Sequence, residues 1–243
     1  MVIGASLVLG DWVLVLAMDW PAIALTARLS ACASLALLLV GLPIAWWLAN
    51  TRWRGRIFVE AFVALPLVLP PTVLGYYVLV ALGPRTFMGH AYQKLSGHTL
   101  PFSFEGLLVA SILYSLPFAV QPFTAAFRTI DPHLVQASQN IGASPLRTFW
   151  KIMVPLAWPG IISGMVLSFA HTLGEFGMVL MVGGNIPNVT RTVSISIYDH
   201  VQSLNYAAAT RTSLFLLVVS FLVLSVTYAL QRNFRFSTLL SPK

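Results

Sequence analysis

The chain has 243 residues, 58% of them hydrophobic and 9% charged, with a mean hydropathy of +0.83. Soluble proteins carry about 25% charged residues, and one core of this size could not hide so much apolar surface, so the composition excludes a soluble globular domain and requires a membrane. The formal charge of +7 would point to nucleic acid in a soluble protein, but here most basic residues lie between apolar runs, where they orient a membrane protein and give no reason to expect nucleic acid.

Residues 1–17 are apolar but short, interrupted by Asp11, and lack the basic n-region of a signal peptide. They read as an extension from an upstream start or as a short extra helix, and residues 18–243 read as one membrane domain. Met18, Asp19, Trp20 and Pro21 make a natural helix start for a first span over 21–49, whose far end is bracketed by Trp46, Trp47 and Trp53 as interfacial anchors. The lone Cys32 sits inside this run, which leaves no disulfide framework and no thiol cluster for zinc or iron–sulfur.

Four more apolar runs cover 57–82, 106–127, 156–182 and 207–230. Each is long enough to cross a hydrocarbon core of about 30 Å, and in lipid the backbone must be bonded within the segment. The expected fold is therefore an all-α integral membrane protein with five transmembrane helices, or six if residues 1–17 add one. Pro66, Pro70 and Pro71 predict kinks in the second span, read as packing irregularity or as a bend lining a pathway.

Alternate connections must share a side. One set, with the C-terminal tail, holds Arg52, Arg54, Arg56, Arg128, Arg147, Lys151, Arg232, Arg235 and Lys243; the other holds Arg85, Lys94 and Arg191. The positive-inside bias places the first set in the cytoplasm, so with five spans the N-terminus is outside and the C-terminus inside.

The connection RTIDPHLVQASQNIGASPLRTFWKIMVP, residues 128–155, carries its own helix punctuation. Asp131 and Pro132 start one short helix and Gly142 stops it; Ser144 and Pro145 start a second, over 146–152, leading toward Pro155. Leu134, Ala137 and Ile141 form a narrow apolar stripe on the first, suited to a groove on a soluble partner or to a headgroup surface.

Gln136, Ala137 and Ser138, then Gly142, Ile152 and Pro155, resemble the EAA loop of type I ABC importer permeases, EAA-x3-G-x9-I-x-LP, with the spacing kept throughout. Gln136, Ser138 and Val154 depart from its letters. The resemblance implies a type I ABC importer permease fold, in which this loop is a coupling helix seated on a cytoplasmic ATPase.

In the fourth span Gly160 and Gly164 permit close helix approach, and Glu175 is a costly ionisable residue one turn beyond His171. No third ligand for a metal is evident. Glu175 is expected in a structural pair with His171, Arg191 or Arg211, or in a gating role. Farther on, Thr190, Arg191 and Thr192 offer hydroxyls and a guanidinium that suit a tetrahedral oxyanion, or else form a polar loop with a solvated arginine.

LPLVLPPTVLGYY, the run from Gly160 through LGEFG, and NIPNVTRT look like the corresponding stretches of molybdate permeases, over nearly the whole chain after Asp19. Sulfate and thiosulfate permeases share the LGEFG-type segment, and tungstate is close to molybdate in size and charge. The resemblance implies a homodimer bound to two cytoplasmic ATP-binding subunits and one extracytoplasmic molybdate-binding protein, in a bacterial inner membrane. ATP and Mg would be bound by those partners, with no cofactor and no catalysis in this chain. ATP-driven closure would move the helices anchored by residues 136–155 and open the pathway outward. Pro70, Pro71, Gly174, Glu175, Phe176, Gly177, Thr190 and Arg191 are the pathway or gate residues expected on this reading. An ion-coupled carrier, which would want several paired ionisable residues at the midplane, finds little beyond Arg28, His171 and Glu175.

Overall fold

The computed structural model describes residues 18–239, so the two readings of residues 1–17 lie outside the described residues. Helix α1 (Trp20–Asn50) starts where the sequence predicts: Asp19 Oδ1 accepts from the Ala22 N–H at 3.1 Å, and Pro21 occupies the first turn, where its missing N–H costs no hydrogen bond. At 1.5 Å per residue α1 is about 46 Å long, enough to cross a bilayer with tilt. Trp46, Trp47 and Trp53 are all exposed near its end.

The second predicted span is two helices, α2 (Arg56–Val68) and α3 (Pro71–Ala81), bent by 115°. This corrects the expectation of one kinked helix over 57–82. Leu69 and Pro70 each precede a proline, whose ring excludes the α region for the residue before it, and both are extended with ψ of 138° and 137°. Pro66 stays inside α2, so the adjacent pair of prolines makes the break.

After a short helix α4 (Phe87–Ser96) comes α5 (Phe104–Arg128), the third predicted span. It is followed by α6 (Pro132–Asn140), α7 (Pro145–Thr148), a π turn (Phe149–Met153) and α8 (Val154–Leu173). Then come α9 (Gly177–Gly183), α10 (Val193–Gln202) and α11 (Tyr206–Leu239). The described residues contain no strand.

Helices α1 and α5 run in parallel. The Arg28 guanidinium lies 4.4 Å from the Phe104 ring near both starts, while at the other end Arg128 Nη2 meets Glu60 Oε1 at 2.7 Å, beside Leu48. Between these ends the chain runs through the bent α2/α3 pair, from Glu60 beside Arg128 to Leu82, which clusters with Leu100. Helices α8 and α9 run back along α5: Met153 clusters with Phe127, and Val179 with Leu107. Arg56, Arg128 and Lys151 thus fall at one end and Arg191, beside Asp19, at the other, as the alternation of connections requires.

The core lies between α1, α5 and α8, where Leu37, Phe123 and Ile161 are fully buried. Lipid supplies no hydrophobic drive between helices, so close fit must hold them. A β-carbon on Gly164 would lie 2.6 Å from Phe123 Cε1 and one on Gly160 would collide with Ala126, which is the close approach that the spacing of these glycines predicts.

Candidate functional site

The 128–155 connection folds as its punctuation predicts at the start. Asp131 caps α6 by accepting from the His133 N–H at 2.9 Å, and Gly142 takes φ +85°, open only to glycine without strain. Val135 packs against the main core and Ser138 is buried, while Leu134, Gln136, Ala137 and Ile141 face outward. The Ser138 and Thr148 hydroxyls are hydrogen-bonded at 2.8 Å, which fastens α6 to α7. The serine that departs from the family's letters thus has a structural reason.

The second helix does not stop near Pro155. It continues from Pro145 to Leu173 as one helical run of 29 residues. Pro155 cannot donate to Lys151, and the ladder loosens just ahead of it: the Val154 N–H reaches back to Phe149 O across the π turn. Ile152 is half-buried and Pro155 exposed in the first turn of α8.

At its far end α8 stops at Gly174, whose N–H reaches His171 O at 3.2 Å, and α9 begins at Gly177. The continuous helix expected over 156–182 is therefore broken at LGEFG, where two glycines within four residues lower the helix preference. Glu175 sits in the break, 4% exposed. Its Oε2 accepts from the Ser111 hydroxyl at 2.9 Å, and no partner reaches Oε1 among the described residues.

The expected pair with His171, Arg191 or Arg211 is thus replaced by Ser111. His171 stacks on Phe118 at 3.9 Å and shares a 3.0 Å hydrogen bond with Ser115. The break turns Glu175 off the helical face that a straight helix would have shared with His171.

Two sequence motifs meet at this point. A β-carbon on Gly177 would lie 2.9 Å from Pro71 Cβ, and one on Gly75 2.8 Å from Met181 Cβ, so α3 and α9 touch through glycine surfaces. Pro70 and Gly174 are exposed beside this contact, and Phe176 pairs with Tyr198 at 5.0 Å between ring centroids.

Thr190 and Arg191 have polar groups already committed. Thr190 is buried and its hydroxyl donates to Gly183 O at 2.6 Å, closing the loop after α9. Arg191 donates from Nε to Asn185 Oδ1 at 2.6 Å and faces Asp199 at 3.4 Å and Asp19 at 3.9 Å. Its guanidinium thus faces two carboxylates, at the start of α1 and on α10.

Ser111 and Ser115 were legible only as hydroxyls four apart in an apolar span, a spacing that puts both on one face. Helices α4 and α10 also went unread, although Thr86 and Thr192 are ordinary N-caps and Gly97, at φ +79°, an ordinary stop. Among the described residues no group of three His, Cys, Asp or Glu gathers to hold a metal.

Residues 41–236 match the family model described as binding-protein-dependent transport system inner membrane component. The chain is 51% identical over 214 residues to the molybdenum transport system permease protein ModB of Azotobacter vinelandii, covering 88% of this chain and 95% of the relative. It is 30% identical over 207 residues to the probable sulfate transport system permease protein cysT of Chlorella vulgaris, covering 85% and 77%. In fold it is similar to a chain of a bacterial alginate ABC transporter crystallised with its alginate-bound periplasmic protein, with a TM-score of 0.70 at 21% identity over 88% of this chain and 78% of that one.

Proposed function

This chain belongs to the family of binding-protein-dependent transport system inner membrane components, and from that premise we propose that it is the transmembrane permease of an ATP-binding-cassette importer that carries molybdate into the cytoplasm. The observation that carries the mechanism is the single helical run from Pro145 to Leu173, which starts at the Gly142 turn and ends at the Glu175 break. Because the run is continuous through the π turn, a push on α6 is passed along it toward the far end of the bundle.

The outward residues of α6, Leu134, Gln136, Ala137 and Ile141, are the surface offered to an ATPase subunit. Ser138 passes the motion to Thr148, and Gly142, Ile152 and Pro155 shape the joint. ATP is bound and hydrolysed by that partner, and this chain catalyses nothing. At the far end Pro70, Pro71, Gly174, Glu175, Phe176 and Gly177 form the gate: α3 and α9 are short segments hinged at breaks, able to swing without unwinding a long helix. Thr190 and Arg191 hold the loop beside it.

The functional unit is a homodimer of this chain with two ATPases and one extracytoplasmic molybdate-binding protein. The end bearing Arg56, Arg128 and Lys151 faces the cytoplasm, with the start of α1 outside and the C-terminus inside. The single membrane domain is the one over 18–243. Greater identity to molybdenum than to sulfate permeases supports the cargo, and tungstate is expected to share the route.

The test is competition among molybdate, tungstate and sulfate for ATP-dependent uptake by the reconstituted complex. Molybdate and tungstate are expected to displace each other and sulfate to fail; sulfate uptake without molybdate uptake would replace this cargo with the alternative, a sulfate or thiosulfate importer.

A further inference from the structure

The connection between α3 and α5 is built, not merely spanned. The Thr86 hydroxyl donates to Ala81 O and Gly83 O, both at 2.8 Å, and accepts from the Gly89 N–H at 3.1 Å, so one side chain closes α3 and opens α4. Gly89 lies directly on Gly83, where a β-carbon would collide with the carbonyl oxygen, and Tyr92 packs against the cluster of Leu82 and Leu100. Helix α4 is therefore fixed against the end of α3.

Its other faces are sorted. At about 100° per residue, Phe87, Met88, Ala91 and Leu95 fall within one stripe about 100° wide. Phe87, Met88 and Leu95 are 89%, 59% and 90% exposed. Lys94 flanks the stripe and Arg85 precedes the helix, and residues 83–104 contain no acidic side chain. Apolar side chains bordered by cations, with no anion to repel phosphate, match an anionic lipid surface.

We propose that α4 is a membrane-surface anchor: it lies in the leaflet at the Asp19 end of the bundle, with Phe87, Met88 and Leu95 in the acyl boundary and Arg85 and Lys94 at the lipid phosphates. It fixes the outer end of the broken span, so that α3 pivots about Pro70 and Pro71 instead of drifting. The test places a nitroxide at Met88→Cys or Leu95→Cys, and at Gln93→Cys as the polar-face control, each in a Cys32→Ser background. The protein is reconstituted in vesicles of phosphatidylcholine and phosphatidylglycerol. Dissolved oxygen is expected to relax the labels at 88 and 95 several-fold more than a water-soluble nickel chelate does, with the order reversed at 93. Greater relaxation by nickel at 88 and 95 would show a solvated helix waiting for a soluble partner, and exclusion of both reagents would show a second copy covering it; either overturns the anchor.

Discussion

Ser111 donates its hydroxyl hydrogen to Glu175 Oε2 across 2.9 Å, joining the middle of α5 to the break between α8 and α9. The carboxyl group is 4% exposed and has no second partner among the described residues, so losing Ser111 would leave it buried and unsatisfied. Ser111→Ala should therefore destabilise the protein by about 1–2 kcal/mol. Glu175→Gln keeps an acceptor for Ser111, replaces an ionisable side chain with a neutral one of the same shape, and should be at least as stable as wild type. Thermal unfolding in lipid nanodiscs checks both; an unaltered Tm for Ser111→Ala contradicts the assignment.

The hydroxyl pair of Ser138 and Thr148 ties α6 to the long helix. Ser138→Ala alone leaves the buried Thr148 hydroxyl unpaired and should cost about 1 kcal/mol, whereas adding Thr148→Val should recover most of that loss. Stability of the two single variants and the double gives the coupling. Strict additivity would mean that the bond does not link the two helices.

Where α3 meets α9, Gly177→Ala places a methyl group 2.9 Å from Pro71 Cβ. Overpacking of this kind costs about 1–3 kcal/mol, and here it wedges apart two segments of the proposed gate. The variant should assemble with its partners yet show a several-fold fall in uptake rate. Uptake at the wild-type rate would remove α3 and α9 from the gate.

Arg191 is held by Asn185, Asp199 and Asp19, and its role is to fasten the loop after α9 to the start of α1. Arg191→Ala should cost about 0.5–1 kcal/mol, since the pairs are partly solvated. The anion concentration for half-maximal uptake should stay unchanged. A large rise in that concentration with unchanged stability would return Arg191 to the anion path.

Features that depend on local chemistry were legible in the sequence. The starts of α1 and α6 follow from Asp19–Pro21 and Asp131–Pro132, and the turn between α6 and α7 from Gly142. Features that depend on what lies across the bundle were not. Glu175 looked like a partner for His171 because a straight helix sets residues four apart on one face, and only the break at Gly174 sends it to Ser111, 64 positions earlier in the chain. The 115° bend was hidden for a related reason: proline forbids straight helix at 70–71, but the direction of the turn is set by Gly75 and Gly177 meeting Met181 and Pro71. The half-buried Arg191 looked available as a ligand, because Asp19 approaches it from the start of α1, far away in sequence, while Asp199 comes from the next helix.

The coupling role of the 128–155 connection is tested most directly by uptake with Gly142→Pro. Proline is held near φ −65° and cannot take the +85° of this turn, and it removes the Gly142 N–H that donates to Gln139 O at 2.9 Å, while a β-carbon here would meet nothing within 4 Å. Wild-type and variant complexes, each with the ATPase and the binding protein, are sealed into vesicles and supplied with labelled molybdate. The account predicts uptake that requires ATP in the wild type, and a variant that inserts and assembles but does not transport. Normal ATP-driven uptake by the variant, or wild-type uptake driven by an ion gradient without ATP, would contradict it.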